Sequence, residues 1–403
     1  MTLPPDSPGA TGLTLLLAMV LAATTGLAQT PSVPDGPAGS PYAQWSHGLP
    51  ADANYFPIAV WLQSPGNAAK YKAAGINLYI GLWNGPTEEQ LSVLKEAGMP
   101  VICEQNKVGL KHKDDPTIVA WMHGDEPDNA QSLGAGKGYG PPIEPNKIIA
   151  DYQRIREADP TRPVMLNLGQ GVAWDGWIGR GVRTNHPEDY KEYVKGGDIV
   201  SFDIYPVVHD RKDVTGKLWL VPFGVDRLRE WSGGKKVVWN CIECTRISND
   251  TRKATPQQVK AEVWMSLVHG SMGLIYFVHE WKPKFNEHAL LDDPEMFPAV
   301  TALNRQIKDL APALNSPTLK EATAVSSSSP DVPIDLMVKK HGGATYVFAV
   351  AMRDGQTQAT FQVQGLAGKT KVEVLGENRT VEAADGKFQD SFRAWDVHLY
   401  VIR

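Results

Sequence analysis

Two glutamates stand where short apolar stretches of the chain end. Glu126 follows Val119–Asp125 (VAWMHGD), and Glu243 closes Lys236–Glu243 (KVVWNCIE). A charge at the end of a buried stretch is costly unless it is paired or has a task. Two carboxylates that bracket one bond can supply a general acid together with a nucleophile or base. This pair therefore predicts bond cleavage by acid–base chemistry.

Other polar and aromatic side chains stand at the ends of similar stretches. Carboxylates, amides and indoles together suit a sugar, because amides bind hydroxyl groups and indole faces pack on the apolar side of a pyranose. The candidate substrate-binding residues are Asp125, Tyr205, Trp281, Trp83, Trp61, Gln105, Asn167 and Glu280. A carbohydrate is the predicted substrate.

Several other chemistries lack the residues they need. No lysine ends an apolar stretch, which argues against Schiff-base chemistry. No His-x-His stands on the first stretch and no other metal-ligand spacing occurs, so we expect neither a metal nor a cofactor. Gly134–Gly140 (GAGKGYG) resembles a phosphate-binding loop but follows no predicted strand and opens no helix. Three cysteines are too few for a disulfide framework, and core thiols are the better interpretation.

The elements that must position these residues follow a repeated pattern. Eight short β-branched or aromatic stretches alternate with longer segments of helical period, which is typical of βα units and a parallel sheet. The predicted strands are 56–62, 76–83, 100–105, 119–125, 163–168, 198–205, 236–243 and 273–279, and the clearest helices are 87–97, 146–158 and 255–269. Eight such units over roughly 260 residues predict a (β/α)8 TIM barrel, whose strand ends build the site. A doubly wound open sheet is the main alternative.

The pattern changes after Leu314. Five stretches with strand character are separated by turn signals such as Asp354-Gly355, and they cover 335–340, 345–352, 357–363, 371–375 and 396–402. They predict a small C-terminal all-β, sandwich-like domain over 316–403, after a catalytic barrel over 52–315. Structural support is the expected role of this second domain, because it carries no constellation of reactive residues.

The N-terminus resembles an export signal. Leu13–Leu27 (LTLLLAMVLAATTGL) is uncharged, short for a bilayer span and followed by Ala28. We expect a signal peptide over 1–28, a flexible segment over 29–51, and a secreted or periplasmic protein. Asp6 and the lack of Lys or Arg before the apolar stretch leave an uncleaved anchor or a misplaced start as alternatives. A net charge of −5 without a basic run argues against nucleic-acid and membrane partners, and the oligomeric state stays open.

Four motifs make a family resemblance specific. They are GDEP at 124–127, DIYP at 203–206, VVWNCIE at 237–243 and YFVHEW at 276–281. With these motifs the chain from Phe56 to about Leu314 resembles the clan A glycoside hydrolases. That superfamily consists of (β/α)8 retaining enzymes with the acid/base on strand four and the nucleophile on strand seven.

The resemblance implies a role for each matched residue. Glu126 would be the acid/base and Glu243 the nucleophile, with Tyr205 hydrogen-bonded to the nucleophile and Trp281 as a stacking wall. The mechanism would be double displacement with retention, which requires carboxyl groups roughly 5 to 5.5 Å apart. The family usually has asparagine before the acid/base, donating to the sugar 2-hydroxyl. This chain has Asp125, which accepts from that hydroxyl but donates only when protonated.

We therefore predict a glycoside hydrolase that cleaves a β-linked sugar or polysaccharide with retention. One alternative is a non-catalytic carbohydrate-binding barrel, which the substitution just described favours. Another is an inverting hydrolase or a transglycosylase that uses Glu104 or Glu280 in a different carboxylate pair. Trp174 and Trp177 are expected either to form a substrate platform or to pin their loop, and Asp128 is expected to be a solvated loop acid.

Overall fold

A computed structural model describes residues 39–403, and nine strand segments of the first domain form one parallel sheet. Nearly all of their residues are buried, as expected for strands covered on both faces. The segments are β1 (Ile58–Trp61), β2 (Leu78–Ile80), β3 (Val101–Glu104), β4 (Ile118–Met122), β5 (Val164–Leu168), β6 (Ile199–Phe202), β7 (Val237–Val238), β8 (Asn240–Glu243) and β9 (Leu274–Phe277). The predicted signal peptide lies outside the described residues.

The sheet closes into an eight-stranded barrel. Its order is β7-β6-β5-β4-β3-β2-β1-β9-β8, and every pairing is parallel. Only Trp239 separates β7 from β8, so these are two segments of the seventh barrel strand, and β9 is the eighth. Because β7 pairs with β6 and β8 pairs with β9, the ring closes through this strand. The predicted TIM barrel is confirmed, and the open-sheet alternative is wrong.

Helices connect the strands around the outside of the barrel. Thr87 and Thr255 each begin a helix with a reciprocal capping box, and Gly98 ends the first of these helices in the left-handed conformation. No helix in the described part of the chain is long and apolar enough to cross a membrane. The α-helices are α1 (Ala68–Ala73), α2 (Glu88–Ala97), α3 (Lys107–Lys111), α4 (Pro145–Ala158), α5 (Tyr190–Tyr193), α6 (Leu220–Trp231), α7 (Pro256–Val268), α8 (Ala289–Asp292) and α9 (Met296–Leu314). Short 3-10 helices cover Pro41–Gln44, Pro65–Asn67, Gln170–Val172, Ile178–Arg183, Pro187–Asp189 and Val194–Gly196.

The segment before β1 fills the N-terminal end of the barrel. Tyr42, Trp45 and Leu49 are buried in the same core as the inward-facing strand residues. The Tyr42 hydroxyl donates to the Met272 carbonyl over 2.8 Å and accepts from Trp239 Nε1 over 2.9 Å. Residues 39–51 are therefore not the flexible segment that the sequence led us to expect, because their apolar side chains complete the barrel core. Residues 29–38 of that predicted segment lie outside the described residues.

The C-terminal domain is all β, as predicted. Its eight strands form one antiparallel sheet in the order β10-β13-β16-β15-β14-β17-β12-β11, which surrounds a separate hydrophobic core. The strands are β10 (Thr323–Ser327), β11 (Ile334–His341), β12 (Ala344–Ala351), β13 (Thr357–Val363), β14 (Lys369–Val374), β15 (Arg379–Ala384), β16 (Lys387–Phe392) and β17 (Val397–Ile402). The sequence did not predict β10, β15 and β16, because exposed polar residues occupy much of each strand.

The two domains share a packed and charged contact. The rings of Trp264 on α7 and Phe348 on β12 lie 5.1 Å apart. His269, just after α7, lies 2.8 Å from Asp226 of the barrel and 3.0 Å from Asp335 of the C-terminal domain. Burial alone would lower the pKa of His269, but the two carboxylates raise it to about 9. The charged imidazole therefore ties the domains together at neutral pH.

Candidate active site

Three carboxyl groups meet above the C-terminal ends of β4 and β6. Asp125 and Glu126 follow β4, and Asp203 follows β6 directly. Glu126 has a φ of +43°, in the left-handed region that non-glycine residues adopt only at a cost. Such a conformation persists where the surrounding structure holds it. Here it accompanies the approach of the Glu126 side chain to Asp203.

Glu126 and Asp203 have different proton affinities. Burial and the negative charges of Asp203 and Asp125 raise the pKa of Glu126 well above its usual value. Burial also raises the pKa of Asp203 to about 7, although the neighbouring Glu126 side chain opposes that rise. Glu126 is therefore the member that keeps the proton, and Asp203 is the member that ionises first.

Asp125 lies beside this pair and is held by two further side chains. Asn167 Nδ2 donates to Asp125 Oδ1 over 2.9 Å, and Ser201 Oγ donates to Asn167 Oδ1 over 2.7 Å. Asp125 is exposed, yet the protein around it raises its pKa to about 6. Asn167 is buried and Asp125 is exposed, so this hydrogen bond holds the Asp125 carboxylate from the core side.

Gly169, just after β5, leaves room for the Glu126 side chain. A Cβ at this position would lie 2.9 Å from Glu126 Oε1 and 2.9 Å from the Asn129 amide. Asn129 Oδ1 in turn accepts a hydrogen bond over 2.8 Å from Trp177 Nε1. The sequence did not identify Gly169 or Asn129, because their roles depend on a neighbouring loop that comes close only in the fold.

Tyr205 belongs to the carboxyl cluster. Burial raises the pKa of Tyr205 well above its usual value, and the charges of Asp203 and Glu126 add to that rise. Its ring packs on Phe277 with centroids 5.0 Å apart, and Phe277 stacks on Trp281 at 5.6 Å with an interplanar angle of 17°. Tyr205 therefore links Asp203 to the aromatic side of the cleft.

An aromatic wall, formed by Trp83, Phe277, His279, Trp281 and Phe285, borders this side. Trp83 and Trp281 are 39% and 43% exposed. The Trp83 ring lies 5.8 Å from that of His279, and the Trp281 ring lies 5.8 Å from that of Phe285. Burial lowers the pKa of His279 to about 4, so its ring is uncharged at neutral pH. The wall thus presents indole surface to solvent without adding a charge.

The structure does not place Glu243 in the cleft. This residue is fully buried, and its Oε1 and Oε2 accept from the backbone N–H groups of Val207 over 2.6 Å and Val208 over 3.0 Å. Burial raises its pKa to about 7, while the two backbone hydrogen bonds and the neighbouring Glu262 of α7 oppose that rise. Glu243 therefore holds the loop after β6 in this structure, and the carboxyl group that lies beside Glu126 is that of Asp203.

Asp128 is also fully buried, so the expectation of a solvated loop acid is wrong. Its Oδ1 accepts from the Gly169 N–H over 2.9 Å, and its Oδ2 accepts from the Tyr190 hydroxyl over 2.7 Å. Burial raises its pKa, while these hydrogen bonds and the Arg180 charge oppose the rise. Asp128 joins the loops after β4 and β5 and thereby fixes the floor of the cleft.

Three predicted substrate-binding residues have other contacts. Trp61 is buried in the barrel core, because its side chain points inward below the strand end. Gln105 turns away to donate over 2.9 Å to a carbonyl of α4. Glu280 is half-buried in a segment paired with Asn286. In the described part of the chain no hydrogen bond or ion pair joins Glu280 or the exposed Glu104 to the carboxyl cluster.

Asp203 is the main site residue that the sequence did not select. It stands at the end of the sixth strand, in the DIYP motif two residues before Tyr205. That position was a usable signal, but several strand ends carry acids and the sequence does not say which of them meet. Among residues 39–403 no group of three or more His, Cys, Asp or Glu side chains could hold a metal ion.

Comparison with known proteins shows the fold. No protein-family model matches the chain, and no curated protein matches it. Two solved structures of putative alpha-galactosidases from Bacteroides fragilis are 10% identical over 87% of this chain; they match over 80% and 79% of their own lengths with TM-scores of 0.52 and 0.50. A GH30 endoxylanase from Clostridium papyrosolvens is 11% identical over 91% of this chain and 98% of its own, with a TM-score of 0.46. At this identity the first two matches support the (β/α)8 architecture.

Proposed function

We propose that the chain is an O-glycoside hydrolase whose chemistry is carried by Glu126 and Asp203. The observation that supports this most is the pair of neighbouring carboxyl groups that follow β4 and β6 at the C-terminal mouth of the barrel, where burial and mutual charge raise the pKa of Glu126 well above its usual value. Tyr205 connects this pair to exposed indoles that suit a sugar ring. The two fold matches above are named as putative alpha-galactosidases, which agrees with a carbohydrate substrate, but the proposal rests on the residues of the site.

The proposed reaction has two displacements. Glu126 donates its proton to the glycosidic oxygen as the bond to the anomeric carbon breaks, and the Asp203 carboxylate attacks that carbon to form a glycosyl ester. The ionised Glu126 then removes a proton from water, the water oxygen attacks the same carbon, and Asp203 leaves as a carboxylate. A hydrogen bond from the Tyr205 hydroxyl to Asp203 would stabilise the ionised form of the nucleophile, since the Tyr205 side chain lowers the pKa of Asp203.

The closeness of the two carboxyl groups favours retention. Retaining enzymes keep the groups about 5 to 5.5 Å apart, whereas inverting enzymes leave about 6.5 to 9.5 Å for a water. Glu126 and Asp203 lie close enough for the charge of Asp203 to raise the pKa of Glu126, so the retaining arrangement needs the smaller opening when a glycoside enters. Asp125 would accept a hydrogen bond from a sugar hydroxyl next to this bond.

The linkage is proposed from the family resemblance, which suggests a β-linked sugar. Because we propose Asp203 rather than Glu243 as the nucleophile, both anomers belong in the test. We would screen aryl α- and β-glycosides and polysaccharides with the wild type, Glu126→Gln and Asp203→Asn. Loss of a general acid costs about 10²–10⁴-fold, and loss of a nucleophile costs more, so both variants should lose at least that factor in kcat. NMR of the first product anomer would report retention.

Glu104→Gln is the matched control, because Glu104 is another strand-end glutamate but is exposed outside the cluster. It should keep the wild-type rate. Wild-type rates in Glu126→Gln or Asp203→Asn would refute the assignment. Saccharide binding without turnover in the wild type would replace it with the alternative of a non-catalytic binding barrel.

A further inference from the structure

A second group of aromatic rings lies on the loops after β5 and β6. This indole platform consists of Trp174, Trp177 and His209. The Trp174 ring lies 6.1 Å from that of Trp177 and 5.5 Å from that of His209, and Trp177 and His209 are 6.5 Å apart. Each of the three residues keeps part of its surface exposed. The carboxyl chemistry described above does not use them.

Neighbouring residues hold the rings of the platform in fixed positions. A Cβ at Gly179 would lie 2.3 Å from the Trp177 indole, and one at Gly176 would lie 2.9 Å from Trp174 Nε1, so both rings rest directly on glycine backbone. Gln170 Oε1 lies 2.9 Å from His209 Nε2, which orients the imidazole. Rings fixed in this way lose little conformational entropy when a ligand stacks on them.

The platform is joined to the proton donor. Trp177 Nε1 donates to Asn129 Oδ1 over 2.8 Å, and the Asn129 amide and Glu126 Oε1 both lie 2.9 Å from the same point, the Cβ position of Gly169. The indole is therefore one side chain away from the carboxyl group that protonates the leaving oxygen. A group that departs with that oxygen would lie toward this platform.

The aromatic wall lies on the other side of the reacting pair. The rings of the wall lie at the ends of the second and eighth barrel strands, and those of the platform lie in the loops after the fifth and sixth strands. In a ring of eight strands these two groups of strands lie on opposite sides. On the wall side, Tyr205, two residues after Asp203, packs on Phe277. On the platform side, Asn129 accepts from Trp177 and approaches Gly169 from the same side as Glu126 Oε1. Stacking surface thus flanks the bond that would be cleaved on both of its sides.

We propose that the indole platform is a subsite for a sugar on the leaving-group side, so that the substrate is an oligosaccharide or polysaccharide with sugar residues on both sides of the cleaved bond. This inference rests on the proposed function and adds the substrate class. The wall binds the sugar that becomes attached to Asp203. The platform binds the sugar that departs.

The test compares two substrates of the sugar found by the screen: a glycosyl fluoride, whose leaving group is one atom, and a trisaccharide. Trp174→Ala removes one stacking face, and loss of such a contact corresponds to about a tenfold change. We expect kcat/KM for the trisaccharide to fall about tenfold further than kcat/KM for the fluoride. Val182→Ala, at a 76% exposed position of the same loop, should leave the ratio of the two values unchanged.

A second variant keeps the test decisive if Trp174→Ala does not fold, as judged by circular dichroism. Trp177→Phe keeps an aromatic ring but lacks the N–H that binds Asn129, and it should also lower the trisaccharide value more than the fluoride value. An equal fall for both substrates would overturn the subsite while leaving the proposed function intact. Failure of the wild type to hydrolyse either substrate would overturn the proposed function and this inference with it.

Discussion

Replacing Glu243 with glutamine separates a positioning role from a chemical one. Its two carboxylate oxygens accept the backbone N–H groups of Val207 and Val208, in the loop that begins just after Tyr205. Glutamine offers one oxygen, and its amide nitrogen would face the other backbone N–H. One buried donor then lacks an acceptor, and the loop that carries Tyr205 must shift.

The expected sizes of the two effects differ widely. Leaving one buried donor unpaired costs about 1–3 kcal/mol, so the free energy of unfolding should fall by that amount. A shift of about 1 Å in a catalytic group costs about 10²-fold in rate. Removal of a covalent nucleophile costs on the order of 10⁶-fold in kcat. A positioning Glu243 and a nucleophilic Glu243 are therefore separated by about four orders of magnitude.

The assay combines kcat on the glycoside found by the screen with urea unfolding of the same Glu243→Gln protein. We expect about a 10²-fold loss in kcat together with the loss of stability. Azide added to Glu243→Gly should not restore turnover, because the site of attack is elsewhere. The reasoning is refuted by a loss near 10⁶-fold with unchanged stability and with rescue by azide as a glycosyl azide.

Two further outcomes follow from the same contacts. Gly169→Ala puts a Cβ 2.9 Å from Glu126 Oε1, so kcat should fall at least about tenfold. The unfolding free energy should change by less than about 1 kcal/mol. An unchanged kcat would contradict the role of Gly169 in leaving room for Glu126. His269→Gln removes the imidazolium between Asp226 and Asp335. Because its folded pKa of about 9 lies above the unfolded value of 6.5, the imidazolium contributes about 3 kcal/mol below pH 6.5, and this is lost as the pH rises through 9. Urea unfolding of the wild type and His269→Gln at pH 6 and pH 10 measures this contribution. A difference in unfolding free energy between the two proteins that is the same at both pH values would count against the ion pair.

The barrel could be predicted because its signals are local. Thr87 and Thr255 are followed by the residues that complete a capping box, and these boxes begin α2 and α7 in the structure. Buried strands of a parallel sheet are continuous apolar stretches, which a sequence shows directly. The strands β10, β15 and β16 were missed because polar residues interrupt that pattern.

The site could be predicted only in part, because it depends on which strand-end side chains turn into the cleft. The sequence located Glu126 and its neighbour Asp125 at the correct strand end. It also located Glu243 at a strand end. It did not show that the Glu243 side chain lies near α7 and accepts from the backbone of the loop after β6. The room that Gly169 leaves for Glu126 arises from the approach of two loops far apart in sequence, and no local pattern reports such an approach.

The most direct test of the central claim is to identify the residue that becomes glycosylated. A 2-deoxy-2-fluoro glycoside of the sugar found by the screen slows the second displacement, so the glycosyl ester accumulates and its peptide can be identified by mass spectrometry. We expect the ester on Asp203, which lies beside Glu126 in the carboxyl cluster. An ester on Glu243 would contradict the assignment of that buried residue as the support of the β6 loop.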